Sequence, residues 1–93
     1  MAIKSFKDKV LHPGEFLQEI LSDRGIAQTQ LAKHIGVEAG VINLICKGKR
    51  GISAVMAKKI ARALGTDAEL WVNLQSSYDL TAAEDPDFGK LRA

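Results

Sequence analysis

Side chains able to do chemistry are few in this chain, and their spacing does not suit catalysis. His34 has no Cys, Asp or second His at the i+3 or i+4 spacing that a helix needs to build a metal site. His12 precedes Pro13 and reads as an N-cap or a helix-end contact. Cys46 is the only cysteine, which excludes an internal disulfide and a multi-cysteine zinc site; it reads as a small apolar packing group. No Ser/His/acid or Cys/His set recurs at a usable spacing, and no glycine-rich phosphate loop follows a strand. An enzyme, a metal, a cofactor and a small-molecule substrate are therefore not expected. What does concentrate is positive charge. Lys47, Lys49, Arg50, Lys58, Lys59 and Arg62 fall within sixteen residues that contain no acid. Such a stretch suits a polyanion such as nucleic acid, although a solvated charged face would look the same in sequence.

The charge is segregated along the chain. Residues 1–65 carry eleven Lys/Arg against five Asp/Glu, whereas residues 66–93 carry two against six. The net charge of +2 hides this division. With 93 residues, 46% apolar and 26% charged, the composition is that of one small globular domain in a reducing, cytoplasmic setting. No apolar run reaches the length of a membrane span, and Met1 to Val10 is too lysine-rich and broken for a signal peptide.

Glycine and proline divide the chain into five short helical pieces, and nothing alternates as a strand would. The first opens at His12-Pro13-Gly14-Glu15, with Leu11 and Phe16 at the spacing of a hydrophobic staple. Its stripe is Phe16, Leu17, Ile20 and Leu21, and Gly25 ends it. The second runs from Gln28 to Ile35, where Ala27 is a poor N-cap, and the third from about Ala39 to Lys47. The fourth opens at Ser53, an effective N-cap, and buries Met56, Ala57, Ile60, Ala61 and Leu64. The fifth opens on Thr66-Asp67-Ala68-Glu69, where Thr66 and Glu69 have the spacing of a capping box, and carries Leu70, Trp71, Leu74 and Tyr78. Residues 1–10 read as a flexible arm, 11–80 as the domain, and 81–93 as a frayed acidic tail.

The second and third pieces, joined through Gly36, have the spacing of a helix-turn-helix. Counting from Gln28, apolar residues fall at the fourth, eighth, tenth, fifteenth and eighteenth positions: Leu31, Ile35, Val37, Ile42 and Ile45. Ala32 at the fifth lets two helices approach, and Gly36 at the ninth takes the turn. A generic helical hairpin needs only the periodicity.

Two further segments carry a closer resemblance: His12-Pro13-Gly14-Glu15-Phe16-Leu17, and Glu69-Leu70-Trp71-Val72-Asn73-Leu74-Gln75 through Tyr78-Asp79-Leu80. Between them Gly48-Lys49-Arg50, Ile52-Ser53 and Met56-Ala57 also fit. Across residues 11–80 the chain resembles the XRE-type (λ-repressor-like) domain, and within it the HigA/VapI family of antitoxins. The resemblance implies an all-α, five-helix, λ-repressor-like fold with a helix-turn-helix at helices 2 and 3. It also implies a homodimer that represses its own operon as an antitoxin of a type II, HigBA-like module. Such a protein neutralises, by direct contact, an RNA-cleaving HigB toxin of RelE-like fold, and the chemistry would belong to that toxin.

Within this frame the N-terminal end of the second helix, at Gln28 and Thr29, would hold a phosphate. The third helix would enter the major groove of operator DNA with Glu38, Ala39, Gly40, Val41, Asn43, Leu44 and Lys47, while Lys47, Lys49 and Arg50 would clamp the backbone. Asn43 is either a base reader or a solvated amide. Leu44 is either a contact to a thymine methyl or part of a protein interface. The groove-facing set has no Arg or Gln, the usual partners of guanine and adenine, so readout by methyl contact and DNA shape stays open. Leu70, Trp71, Leu74 and Tyr78 are expected to bury partly against a second copy, because the fifth helix has more apolar surface than so small a core can cover. The two chain ends, 2–10 and 81–93, are candidates for folding onto a toxin. Two other readings remain: a stand-alone regulator, or a toxin-binding module whose DNA readout has decayed.

Overall fold

The computed structural model describes residues 11–92, so the expectation of a flexible arm at 1–10 lies outside the described residues. Five helices follow one another: α1 (Pro13–Arg24), α2 (Gln28–Ile35), α3 (Ala39–Cys46), α4 (Ala54–Leu64) and α5 (Ala68–Ala82). No strand occurs among the described residues, and none of their helices is long and apolar enough to cross a membrane. Helices α2 and α3 pack on each other, α1 packs on α3 and α5, and α4 lies against α2 and α5. Leu17 and Leu21 of α1, Ile42 and Ile45 of α3, Ile60 of α4 and Trp71 of α5 meet in one core, each almost wholly removed from water.

The helix starts show which local signals prevail. Ser53 caps α4, its Oγ accepting the Met56 N–H at 3.2 Å. Ala27 offers α2 no acceptor; instead Gln30 reaches back, its Oε1 accepting the Ala27 N–H at 3.3 Å. The capping box expected at Thr66 and Glu69 does not form. Helix α5 begins one residue later, with Asp67 at the cap position and no side-chain bond there. Thr66 Oγ1 accepts from the Trp71 indole N–H at 2.8 Å instead. Stranding a donor on a fully buried side chain costs about 1–3 kcal/mol, at least as much as a cap contributes.

That burial also corrects the expectation for Trp71. It is fully buried within one chain, with Phe16 tilted against it at 5.4 Å between ring centroids, and has no surface left to give a partner. On the same helix Leu70 and Leu74 stay half-buried and Val72 is exposed. Tyr78 is half-buried and already in use, edge-on to His12 at 4.7 Å. The helix also runs on to Ala82, past the boundary expected at residue 80.

The start of α1 is the tightest point of the fold. His12 is buried at the N-cap, its Nδ1 accepting the Gly14 N–H at 2.9 Å. Gly14 lies directly against the Ile45 carbonyl at the end of α3, so a methyl group there would overlap the carbonyl oxygen. Pro13, also buried, needs no partner for its missing N–H. Far from this point, Arg24 closes the other end of α1 by donating from Nη1 to the Leu64 carbonyl of α4 at 2.8 Å.

Two tests follow from this junction. Gly14→Ala forces two backbones apart and should cost about 3 kcal/mol or more in denaturant unfolding, against near neutrality for an Ala at an open helix position. Burial holds the His12 pKa below its usual 6.5, against smaller upward pulls from Glu15 and Asp79. The unfolded chain therefore takes up this proton first as pH falls. The stability contributed by neutral His12 is complete above its unfolded pKa and is lost as pH falls through the lower folded value. Thermal unfolding from about pH 8 to about pH 5 should show this decline, and His12→Asn, which keeps an acceptor at the cap, should flatten it.

Candidate nucleic-acid interface

Helices α2 and α3 are each eight residues long and are separated by Gly36, Val37 and Glu38. Gly36 adopts φ +76°, a left-handed conformation that an L side chain resists, and its N–H reaches the Ala32 and Lys33 carbonyls. Val37 then donates to the Ala32 carbonyl at 2.9 Å. Ala32 is buried where the helices meet, and Ile42 and Ile45 face the core. The opposite surface of the unit thereby turns outward. Thr29, Glu38, Ala39, Gly40 and Leu44 are exposed, while Gln28, Val41 and Asn43 are half-buried. At Gly40 no heavy atom lies within 4 Å of the position a Cβ would take, so the first turn of α3 offers bare backbone to an approaching surface.

Gln28 and Asn43 are brought together, but not as free side chains. Asn43 Nδ2 donates to Gln28 Oε1 at 3.1 Å, and Gln28 Nε2 donates to Gln18 Oε1 at 2.8 Å. The chain of amides ties α3 to α2 and α2 to α1. Asn43 is thus neither simply solvated nor wholly free to read a base, and the Gln28 side chain is engaged in holding it. Gln18 was not identifiable from sequence: a glutamine on the outer face of α1 looks like any solvated residue.

Beyond α3 the chain leaves through Lys47 and Gly48. The Gly48 N–H meets the Ile45 carbonyl at 3.0 Å, and the Lys49 N–H meets that of Leu44 at 2.9 Å. Lys47, Lys49 and Arg50 are all exposed. Positive charge at a helix C-terminus is favoured by the macrodipole, so Lys47 contributes to the fold as well as to the surface. The segment is held from below by Gln75 of α5. Its Oε1 accepts the Ile52 N–H at 2.7 Å, its amide packs over Gly51, and its Nε2 donates to Asp79 Oδ1 at 2.9 Å. Sequence reasoning missed this role, although Gln75 and Asp79 stand at the i,i+4 spacing of a helical side-chain pair.

The acid-free run of cations does not form one patch. Lys47, Lys49 and Arg50 follow α3, whereas Lys59 and Arg62 line a hollow beside His34 and Ile35 at the far end of α2. Among the described residues no group of His, Cys, Asp and Glu could hold a metal ion. Cys46 is half-buried, and burial pushes its thiol pKa up, away from the reactive thiolate.

A helix-turn-helix family model matches residues 17–71. Virulence-associated protein I of Dichelobacter nodosus is 40% identical over 87 residues, which cover 90% of this chain and 81% of that protein. Antitoxin HigA-1 of Vibrio cholerae is 33% identical over 79 residues, covering 84% and 74%. Among solved structures, the Pseudomonas aeruginosa antitoxin HigA with the higBA promoter superposes with a TM-score of 0.76 at 42% identity, covering 78% of this chain and 80% of that one. The family model runs from within α1 through the helix-turn-helix to the start of α5, and with these relatives it shows that the chain belongs to the XRE-type helix-turn-helix family, among its HigA/VapI-type members.

Proposed function

We propose that this chain is the antitoxin of a type II toxin–antitoxin pair, repressing its own operon as a homodimer on duplex DNA and neutralising an RNA-cleaving, RelE-like toxin by direct contact. The observation that carries the DNA half is the outward surface of α3: exposed backbone at Gly40 with Lys47, Lys49 and Arg50 directly behind it. Three cations at the end of a groove-sized helix grip phosphates, while the bare first turn approaches the base edges. Ala39, Val41 and Leu44 can meet thymine methyls, and Asn43, set by Gln28, can make one polar contact. The relatives named as HigA antitoxins, one of them solved with its promoter, support the reading.

Two-fold symmetry supplies the dimer argument. A helix-turn-helix of this size reads few bases, and pairing two copies on a palindromic site doubles the contacts. Leu70 and Leu74, half-buried and one turn apart on the same face of α5, are the surface proposed for that pairing. The protein would be cytoplasmic, beside its DNA, and would have no catalytic role of its own. The toxin-binding module with decayed readout is kept as the second reading because α3 offers no Arg or Gln to the bases.

Gel-shift titration with the chain's own promoter tests both. Lys49→Ala/Arg50→Ala should weaken binding by about ten- to a hundredfold at low salt and reduce the slope of log K against log salt by about 2. Unchanged affinity and slope would move the DNA face elsewhere. Wild-type protein with no preference for its promoter over random duplex would favour the second reading. Asn43→Ala should lower discrimination at one base pair by about 1 kcal/mol or more if the amide reads a base; full retention assigns specificity to DNA shape.

A further inference from the structure

Helices α2 and α4 leave a trough between them, running along the side of α2 that carries His34. One part of it, about 260 Å³, is lined by His34, Ile35, Lys59, Arg62 and Ala63. The adjoining part, about 190 Å³, shares His34 and Ala63 and ends at Ile26 and Leu64. Its floor is apolar, its rim is basic, and no acid is among its lining residues. After α5 the chain presents the complementary chemistry. Residues 83–92 are non-helical and exposed, with Glu84, Asp85 and Asp87 preceding a Phe88 that is 78% exposed. Pro86 keeps Asp85 out of helical conformation.

The trough reaches Leu64 at the end of α4, and α5 starts after only three further residues. The tail leaves from the other end of α5, some 22 Å away along a fifteen-residue helix. Phe88 is six residues past Ala82, a reach of about 20 Å when fully stretched, so a chain's own tail would have to double back without slack. Antiparallel pairing of α5 about a two-fold axis removes the difficulty, because it sets one protomer's tail beside its partner's α4–α5 turn.

We infer that residues 84–88 of one copy dock in the α2–α4 trough of a second copy, Phe88 on the floor of Ile35 and Ala63 and the acids against Lys59 and Arg62. This rests on the dimer reading above. The clasp would fix the spacing of the two helix-turn-helix units without touching either DNA face. Zero-length carboxyl–amine cross-linking of the full chain, in mixtures of isotope-labelled and unlabelled protein, tests it alongside sedimentation. The expected result is a dimer with Lys59 joined to Asp85 or Asp87 of the unlike chain. With Lys59 left in place to report, the yield should fall by about tenfold in Arg62→Glu and in Phe88→Ala. A dimer with no such cross-link, or with one only inside a single chain, overturns the clasp and leaves the dimer standing. A monomer overturns both.

Discussion

The contact between the start of α1 and the end of α3 constrains most of what this molecule can do. Gly14 sits against the Ile45 carbonyl because it has no side chain, and His12 closes the junction by capping Gly14 and meeting Tyr78 of α5. Three helices are therefore fixed at one point, and one of them is the helix proposed for the major groove. Its direction follows from a backbone contact rather than from a flexible side chain. Residues that make no contact with DNA can thus decide whether α3 meets it at a usable angle, and this gives the His12-Pro13-Gly14-Glu15 sequence a physical reason.

A second support acts on the cations. Lys49 and Arg50 belong to an irregular segment between α3 and α4, where loop entropy would otherwise blur their positions. Gln75 ties Ile52, two residues past Arg50, to α5, and Asp79 orients Gln75 in turn. Phosphate contacts weaken when the charges that make them are free to wander, because ordering them then costs binding free energy. A neutral amide on the last helix is thereby part of the electrostatics of the proposed DNA face. The amide chain from Gln18 through Gln28 to Asn43 does for the base-facing side what Gln75 does for the clamp.

Much of this was legible in the sequence, for reasons that differ by residue. Helix periods and glycine stops act locally, so α2 was placed with its observed ends, and α1 and α4 nearly so. Gly36 and Ala32 carry their meaning in spacing alone. What failed was local chemistry overruled from a distance. Thr66 has the sequence of a cap, but the indole of Trp71, buried against α1, claims its oxygen. Trp71 reads as surplus apolar area on a helix considered by itself, and only the arrival of Phe16 from α1 shows that it is core. Gln18, Gln28 and Asn43 are ordinary polar residues until three helices bring them within hydrogen-bonding reach. Periodicity reports which face a residue is on; it does not report which neighbour that face will meet.

Helix length turns these details into a coupling between stability and recognition. Isolated helices shorter than about 12–15 residues are marginal in water, and α2 and α3 have eight each. Gly40 weakens α3 further, by about 1 kcal/mol relative to Ala. Neither helix of the motif can hold its shape without the core beneath it, and that core is supplied by α1, α4 and α5. Changes at Gly14, His12 or Trp71 therefore reach the proposed DNA face through loss of α3 itself. Changes at Gly40 act in the opposite direction: a methyl there meets no neighbour and would firm the helix, but it would also cover the backbone that the groove must approach. A surface that pays in helix stability for close backbone access is built for contact with something that fits against it.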